Sequence, residues 1–430
     1  MPSAIVLSHY EQLSRLSLAY PEAVPHTVVA GDICFDRLRA SLPLRPSYRR
    51  AFGLAAHQKL VVVSTTWGPD SLLAAAPDLP RRLAEVLPVD EFRILLAPHP
   101  NIRAGHSAWQ FAEYLSGAAR AGVYVPDDID MWRSAIIAAD LVVGDHGSVP
   151  FYSTALGNPL LLATVPAHSV DPRSPIARLL RTAPRLDLSG DLLAQVRRAI
   201  ELHDPQRYSP ITALTTSEPD RSAAILRTAM YRMMGLAEPG EPAEISTLPM
   251  PSNYLTGPDS HLVLAEITAV RTAAVNRFPA ERLRSDPDVP RGAHVVIGVN
   301  EPRRRWLEVA DIVIGDTGPE TREWVAATLS RLPGCVLAAA PVDDRRWLLG
   351  VGGGRFLAFE GSATACRLFA SVAYHGVVRG AGLDSMTGHW TIECGGGVHR
   401  VRAVAPNDDH GNWSTADRIS AVSPANPKSE

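Results

Sequence analysis

Three clusters of polar residues, each at the end of an apolar run, carry most of the chemistry open to this sequence. Ser64-Thr65-Thr66-Trp67 closes the run Leu60 to Val63, His99-Pro100-Asn101 closes Arg93 to Ala97, and Asp145-His146-Gly147-Ser148 closes Leu141 to Gly144. A β-branched run that ends in Gly or Asp and opens into a helix is how a buried parallel strand hands over to its crossover helix. Such a turn leaves backbone N–H groups at the helix start, where the dipole favours an anion. Ser148 and the amides around Gly147 therefore suit a phosphate. Asp145 would repel one unless it caps the helix or accepts a sugar or ribose hydroxyl, and His146 is placed to pair with it. His99 lies between prolines, so its ring projects from a constrained backbone. It could donate to a phosphate, serve as general acid or base, or bond a neighbouring loop. Thr65 and Thr66 offer hydroxyls, and Trp67 offers either a stacking face or a core side chain. In an open parallel sheet the three strand ends share one edge, and ligands bind at that edge.

The elements that must position these groups follow from alternation. Short strands at Leu60 to Ser64, Arg93 to Ala97, Val123 to Val125, Ala138 to Val143 and Pro159 to Ala163 alternate with helical stretches at 79–87, 109–121, 130–139 and 176–181. This pattern predicts an α/β fold, a doubly wound parallel sheet covered on both faces. Ahead of it, Ala4 to Leu7 and Val28 to Ala30 flank one helix, an abrupt opening assigned to 1–37. The nucleotide-binding-type domain spans 38–237, closing with a helix from Arg221 to Met234. Glu238-Pro239-Gly240-Glu241-Pro242 opens a linker over 238–257.

Beyond it the texture changes. Short strands with tight turns over 258–405 predict a smaller α+β domain of open role. Gly352-Gly353-Gly354 and Gly395-Gly396-Gly397 read as hairpin turns, and 369–378 fits either strand or helix. The Asn-, Asp-, Ser- and Pro-rich stretch 406–430 predicts a disordered tail. One internal echo stands out: Ala310-Asp311-Ile312-Val313-Ile314-Gly315-Asp316-Thr317-Gly318 resembles Ala139 to Gly147 at most positions. The flanking pattern does not repeat, which favours convergent strand-to-turn chemistry over duplication.

Composition bounds the function classes. The 430 residues are 46% hydrophobic and 20% charged, with a net charge of −3. Without a cationic excess, a dedicated nucleic-acid binder is disfavoured. Cys34, Cys335, Cys366 and Cys394 are scattered without a C-x-x-C pair, fitting reduced thiols rather than a disulfide framework or a zinc site. No apolar run reaches the roughly 18 residues of a membrane span, so a soluble, cytoplasmic protein with at most peripheral membrane contact is expected. His106, His168, His203, His375 and His389 show no metal-ligand spacing. There is no H-e-x-x-H, nucleophile elbow or Walker loop, so no metal or cofactor is called for.

Taken in order, the landmarks resemble the carboxyl-terminal half of the GT-B fold. The likeness is to the CDP-glycerol glycerophosphotransferases of teichoic-acid synthesis and, more distantly, to the UDP-N-acetylglucosamine 2-epimerases. Gly31-Asp32-Ile33-Cys34-Phe35-Asp36 resembles the family's Gly-x-Pro-Arg-x-Asp, and Thr65-Thr66-Trp67-Gly68 its Pro-Thr-Trp-Arg. His99-Pro100 matches its His-Pro, Ala139 to Val149 its Ala-Asp-x-x-Ile-x-Asp-Tyr-Ser-Ser-Val, and Pro159 to Leu162 its closing aliphatic run. The resemblance covers roughly residues 25–235. It implies a nucleotide diphosphate donor (CDP-glycerol or a nucleotide sugar), with His99 catalytic and Gly147-Ser148 on the diphosphate. Thr65, Thr66, Asp145 and His146 would complete the donor site. A polyol-phosphate or sugar would be the acceptor in cell-envelope polysaccharide synthesis.

Departures stand at Gly68, Gly147 and Tyr152, where the family has Arg, Ser and Asp. Its amino-terminal acceptor domain is matched at most by Ala4 to Arg37. The acceptor side would then come from a partner subunit, a homo-oligomer or residues 258–405. The alternatives are a nucleotide-sugar-binding module without turnover and an interaction protein that keeps only the fold.

Overall fold

The computed structural model describes residues 3–405 except 253, 286–288 and 319. The chain divides at Gly257/Pro258 into two compact units.

In the first unit, β3 (Lys59–Thr65), β4 (Phe92–Pro98), β5 (Val123–Tyr124), β6 (Leu141–Gly144) and β7 (Leu160–Leu162) form one sheet in the order β5-β4-β3-β6-β7. All its pairings are parallel. Alternate residues supply opposite faces. Leu60, Val62, Leu95, Val142 and Leu160 join one apolar cluster, whereas Val61, Val63, Ile94, Leu96, Val143 and Leu161 join another. That double burial is why these strands read as unbroken apolar runs. The chain winds from β3 outward to β5, then returns to add β6 and β7 on the other side. The reversal puts a crevice at the carboxyl ends of β3 and β6.

β1 (Ile5–Leu7) and β2 (Thr27–Val29) pair in parallel as a separate two-stranded sheet. The helix Tyr10–Ala19 between them reaches the β7 side of the unit through Arg15, whose guanidinium meets Asp171 at 3.0 Å. The 238–257 segment, expected as linker, instead lies along the first unit. Leu248 and Leu255 are buried in its core, and the Tyr48 hydroxyl donates to the Leu248 carbonyl at 2.6 Å.

The second unit differs from an ordinary α+β layer arrangement. Nine strands, β8 (Ser260–Ala269), β9 (Thr272–Pro279), β10 (His294–Gly298), β11 (Ile312–Ile314), β12 (Leu337–Pro341), β13 (Arg346–Val351), β14 (Arg355–Gly361), β15 (Gly388–Cys394) and β16 (Gly397–Val404), close into a barrel. Its order is β10-β11-β12-β13-β14-β16-β15-β9-β8. Residues 369–378, open between strand and helix in the sequence, belong to the helix Ala363–Val378. Leu368, Phe369, Val372 and Ala373 of that helix are buried among the barrel's Val263, Leu349, Phe359 and Ile392. Both glycine triplets sit at hairpin turns, joining β13 to β14 and β15 to β16. The expected tail 406–430 lies outside the described residues. Among the described residues no helix is long and apolar enough to cross a membrane.

Candidate functional site

At the carboxyl ends of β3, β4 and β6, the three polar clusters are linked in sequence. Asp145 is the link between two of them. Its carboxylate is buried and accepts from Thr66 N–H and hydroxyl at 2.8 and 2.9 Å, and from Leu72 N–H at 2.9 Å. Its other oxygen accepts the Gly147 N–H at 3.1 Å. The anionic side chain that would repel a phosphate is thus turned inward and clamps the β3 turn to the β6 turn. Gly147 lies so close to this clamp that a Cβ there would meet the Thr66 methyl at 2.8 Å.

Thr65 is buried as well. Its hydroxyl donates to the Thr66 carbonyl and accepts from Leu73 N–H, at 3.0 and 3.2 Å. Of the two threonines, Thr65 positions the turn and presents no free hydroxyl. Thr66, half-buried, already gives its hydroxyl to Asp145.

His99 joins from β4. Its N–H donates to the Thr65 carbonyl at 3.0 Å, and its ring tilts against Trp67 with centroids 6.3 Å apart. Trp67 is exposed rather than part of the core. His99 caps the helix Pro100–Ala104, its Nδ1 accepting the Asn101 N–H at 3.1 Å. With Nδ1 accepting, a neutral ring carries its proton on Nε2, which is left to act as a donor.

The helix Ser148–Ala155 begins at the crevice. Gly147 N–H is taken by Asp145 and Pro150 has no N–H, so Ser148 and Val149 supply the amides of its first turn. His146 does not pair with Asp145, and its Nδ1 is buried with no hydrogen-bond partner. A cavity of about 460 Å³ opens on the other flank of the β3 turn, lined by Gly68, Ser71, Ile102, Gln110, Phe111 and Tyr114.

A fourth loop, not singled out by its sequence, also reaches this region. Asp70, in the β3 turn, accepts from His168 Nε2 at 2.9 Å and from the Ser169 hydroxyl at 2.6 Å. His168 and Ser169 lie in the loop that leaves β7. The sequence signal was positional: β7 ends on the same sheet edge as β3, β4 and β6, so its loop belonged in the search.

The departure at Tyr152 has a structural reason. Its ring stacks between Phe35 and Trp132, at 6.2 and 6.0 Å, and its hydroxyl donates to Asp32 at 2.6 Å. Asp32 in turn caps the helix Ile33–Ser41 through Phe35 N–H. Burial, with the Asp32 carboxylate beside it, raises the Tyr152 phenol well above its ordinary value. Among the described residues no group of three or more His, Cys, Asp or Glu side chains could hold a metal ion.

No protein-family description matches the chain, and no curated protein does. Solved structures do. The wall teichoic acid polymerase TagF is similar at 17% identity and TM-score 0.38, over 54% of this chain and 57% of that one. UDP-GlcNAc 2-epimerase from Neisseria meningitidis, bound to UDP-GlcNAc, is similar at 15% and 0.33, over 53% and 61%. HepE from Anabaena in complex with UDP-glucose is similar at 16% and 0.31, over 55% and 65%. The chain therefore spans less than two thirds of each, and at such identities the likeness is one of chain path alone. Within that limit, the solved structures similar to this chain include members of both groups that its motifs resemble, a teichoic-acid polymerase and UDP-GlcNAc 2-epimerases, over about half its length.

Proposed function

We propose that the first unit binds a nucleoside diphosphate donor at the carboxyl edge of its sheet and transfers a glycosyl or glycerophosphoryl group from it. The observation that carries this is the crevice at the strand-order reversal. There the free Nε2 of His99 and the Ser148 and Val149 amides are available as donors, while Asp145 is withdrawn into a clamp. Such a set matches a pyrophosphate, which needs several N–H donors and no facing carboxylate. The neighbouring cavity, within the size range of small-molecule sites, has aromatic faces and the Gln110 amide to offer a nucleobase. The acceptor of the transferred group is a polyol-phosphate or sugar hydroxyl.

Calorimetry with CDP-glycerol and UDP-N-acetylglucosamine tests the donor site, with His99→Ala as its control. Binding by the wild type and a loss of at least tenfold in His99→Ala, about 1.4 kcal/mol, are expected. No heat from either donor, or equal heat from both proteins, refutes the site. Heat without release of nucleotide, in the presence of acceptor, would identify a binding module without turnover.

A further inference from the structure

Asp70 and His168 belong to different loops, 98 residues apart in sequence, yet their side chains meet at 2.9 Å on the edge that carries the donor site. A carboxylate only accepts, so the ring nitrogen facing Asp70, Nε2, is the protonated one, and Nδ1 keeps its lone pair. The His168 side chain is 75% exposed, and its bond to Asp70 turns Nδ1 away from the carboxylate. The loops on both sides are held. Leu72, two residues beyond Asp70, is hydrogen-bonded to the buried Asp145, and Ser71 caps the short helix that follows. On the other side the Ser169 N–H donates to Pro166, and Asp171 is pinned by Arg15.

We propose that Asp70 and His168 are the proton-accepting pair of the transfer reaction: His168 takes the acceptor's proton, and Asp70 fixes the ring and steadies its charge. This rests on the donor site proposed above. In the step, the acceptor hydroxyl oxygen forms a bond to the electrophilic carbon or phosphorus of the donor. The bond from that atom to the departing phosphate oxygen breaks, and its electron pair leaves with the nucleotide. The hydroxyl proton moves to Nδ1 of His168, whose imidazolium then faces Asp70. A carboxylate behind an imidazole holds the tautomer and stabilises the cation without itself taking the proton. The Ser169 hydroxyl, then His168, hold Asp70 below the usual carboxylate range, so it stays ionised when the ring is charged.

The experiment measures donor affinity and nucleotide release separately, using CDP-glycerol and UDP-N-acetylglucosamine with glycerol phosphate as the hydroxyl acceptor. His168→Ala is expected to keep donor affinity within about threefold while release falls at least a hundredfold, the scale of general-base catalysis. Added imidazole should restore part of that rate, which it would not do for a merely structural histidine. Asp70→Asn should lower release while donor affinity stays within about threefold, because the ring loses the carboxylate that fixes its tautomer. Unchanged release by His168→Ala with donor binding intact overturns the pair and leaves the donor site standing. A wild-type protein that binds donor but releases no nucleotide also overturns it. Absence of donor binding removes the site first and the pair with it.

Discussion

Ala139 to Gly147 and Ala310 to Gly318 look alike in sequence, and their first halves do the same work. Asp140 N–H donates to the Leu60 carbonyl while its carboxylate accepts the Leu60 N–H, both at 2.8 Å. Asp311 does the same to Val295, at 3.0 and 2.7 Å. Each aspartate thus locks the start of a central strand, β6 or β11, to its parallel neighbour, β3 or β10. Past the strand the two part. Asp145 is buried with four donors around it, whereas Asp316 is exposed and accepts from the Asn300 amide, at 2.6 Å. Strand order accounts for the difference. β6 sits where the winding of its sheet reverses, so its turn meets the β3 turn; β11 lies between β10 and β12 in sequential order, with no reversal beside it. The strand-starting chemistry is shared, and what differs is the topology around it.

Removing the two carboxylates should break the resemblance most sharply. Asp145→Ala leaves the N–H groups of Thr66, Leu72 and Gly147 without their acceptor, the Leu72 N–H in a buried position. Each unsatisfied buried donor costs about 1–3 kcal/mol, and bonds to a charged acceptor lie at the upper end. A loss of about 4 kcal/mol in chemical denaturation is expected, together with loss of donor binding. Asp316→Ala, a surface change, should stay within about 0.5 kcal/mol. Equal losses at the two positions would show that the clamp has no special weight.

The surroundings of the matched aspartates predict a second, smaller contrast. Asp140 is paired with Arg45 and Arg49, at 2.9 and 2.7 Å, whereas Asp311 accepts from the Tyr374 hydroxyl at 3.0 Å. Against Tyr374 packs His294, ring centroids 4.3 Å apart and its Nε2 buried without a partner. Burial lowers its pKa to about 4, with the nearby His375 acting in the same direction. The unfolded chain, with a histidine pKa near 6.5, binds the proton before the folded one does. The stabilisation is therefore complete above about pH 6.5 and lost as pH falls toward 4, amounting to about 2 kcal/mol by pH 5. His294→Gln should flatten that slope in denaturation measured from pH 7 to 5. An unchanged slope would mean that the ring is not the group responsible.

How much of this was legible in the sequence divides along the same line. The sheet of the first unit was legible because its strands are β-branched runs punctuated by Gly, Pro and Asp. That the three polar turns share one edge was legible because parallel strands end on the same side of their sheet. What two loops do to one another was not. Nothing in Asp145 and its neighbours says that the carboxylate turns inward, and the pairing of Asp70 with His168 spans 98 residues. In the second unit β9 leaves little local signal, since Thr272 to Pro279 mixes alanines with Asn276 and Arg277, and its turn uses Arg271 at φ +58° rather than a glycine. The barrel was hidden for a related reason: its closure depends on pairings such as the parallel β9–β15 contact, which local pattern does not encode.

The smallest expected contrast falls on the glycines at the ends of the two strands, where the likeness should hold. A Cβ on Gly144 would stand 2.5 Å from the Pro150 ring, and one on Gly315 would stand 2.7 Å from the Trp324 ring and 2.9 Å from the Ala340 Cβ. In both units the missing side chain lets the following helix settle directly on the strand end. Alanine at either position must push that helix outward, an overpacking cost of about 1–3 kcal/mol. The two substitutions should therefore destabilise by similar amounts in urea titrations. They should differ in what else they disturb. Gly144→Ala moves the helix Ser148–Ala155, whose first amides face the crevice, and should weaken donor binding severalfold. Gly315→Ala should leave donor affinity as it was, because the turn it displaces is in the other unit. Equal weakening by both would mean that the β6 turn owes nothing to its place at the reversal.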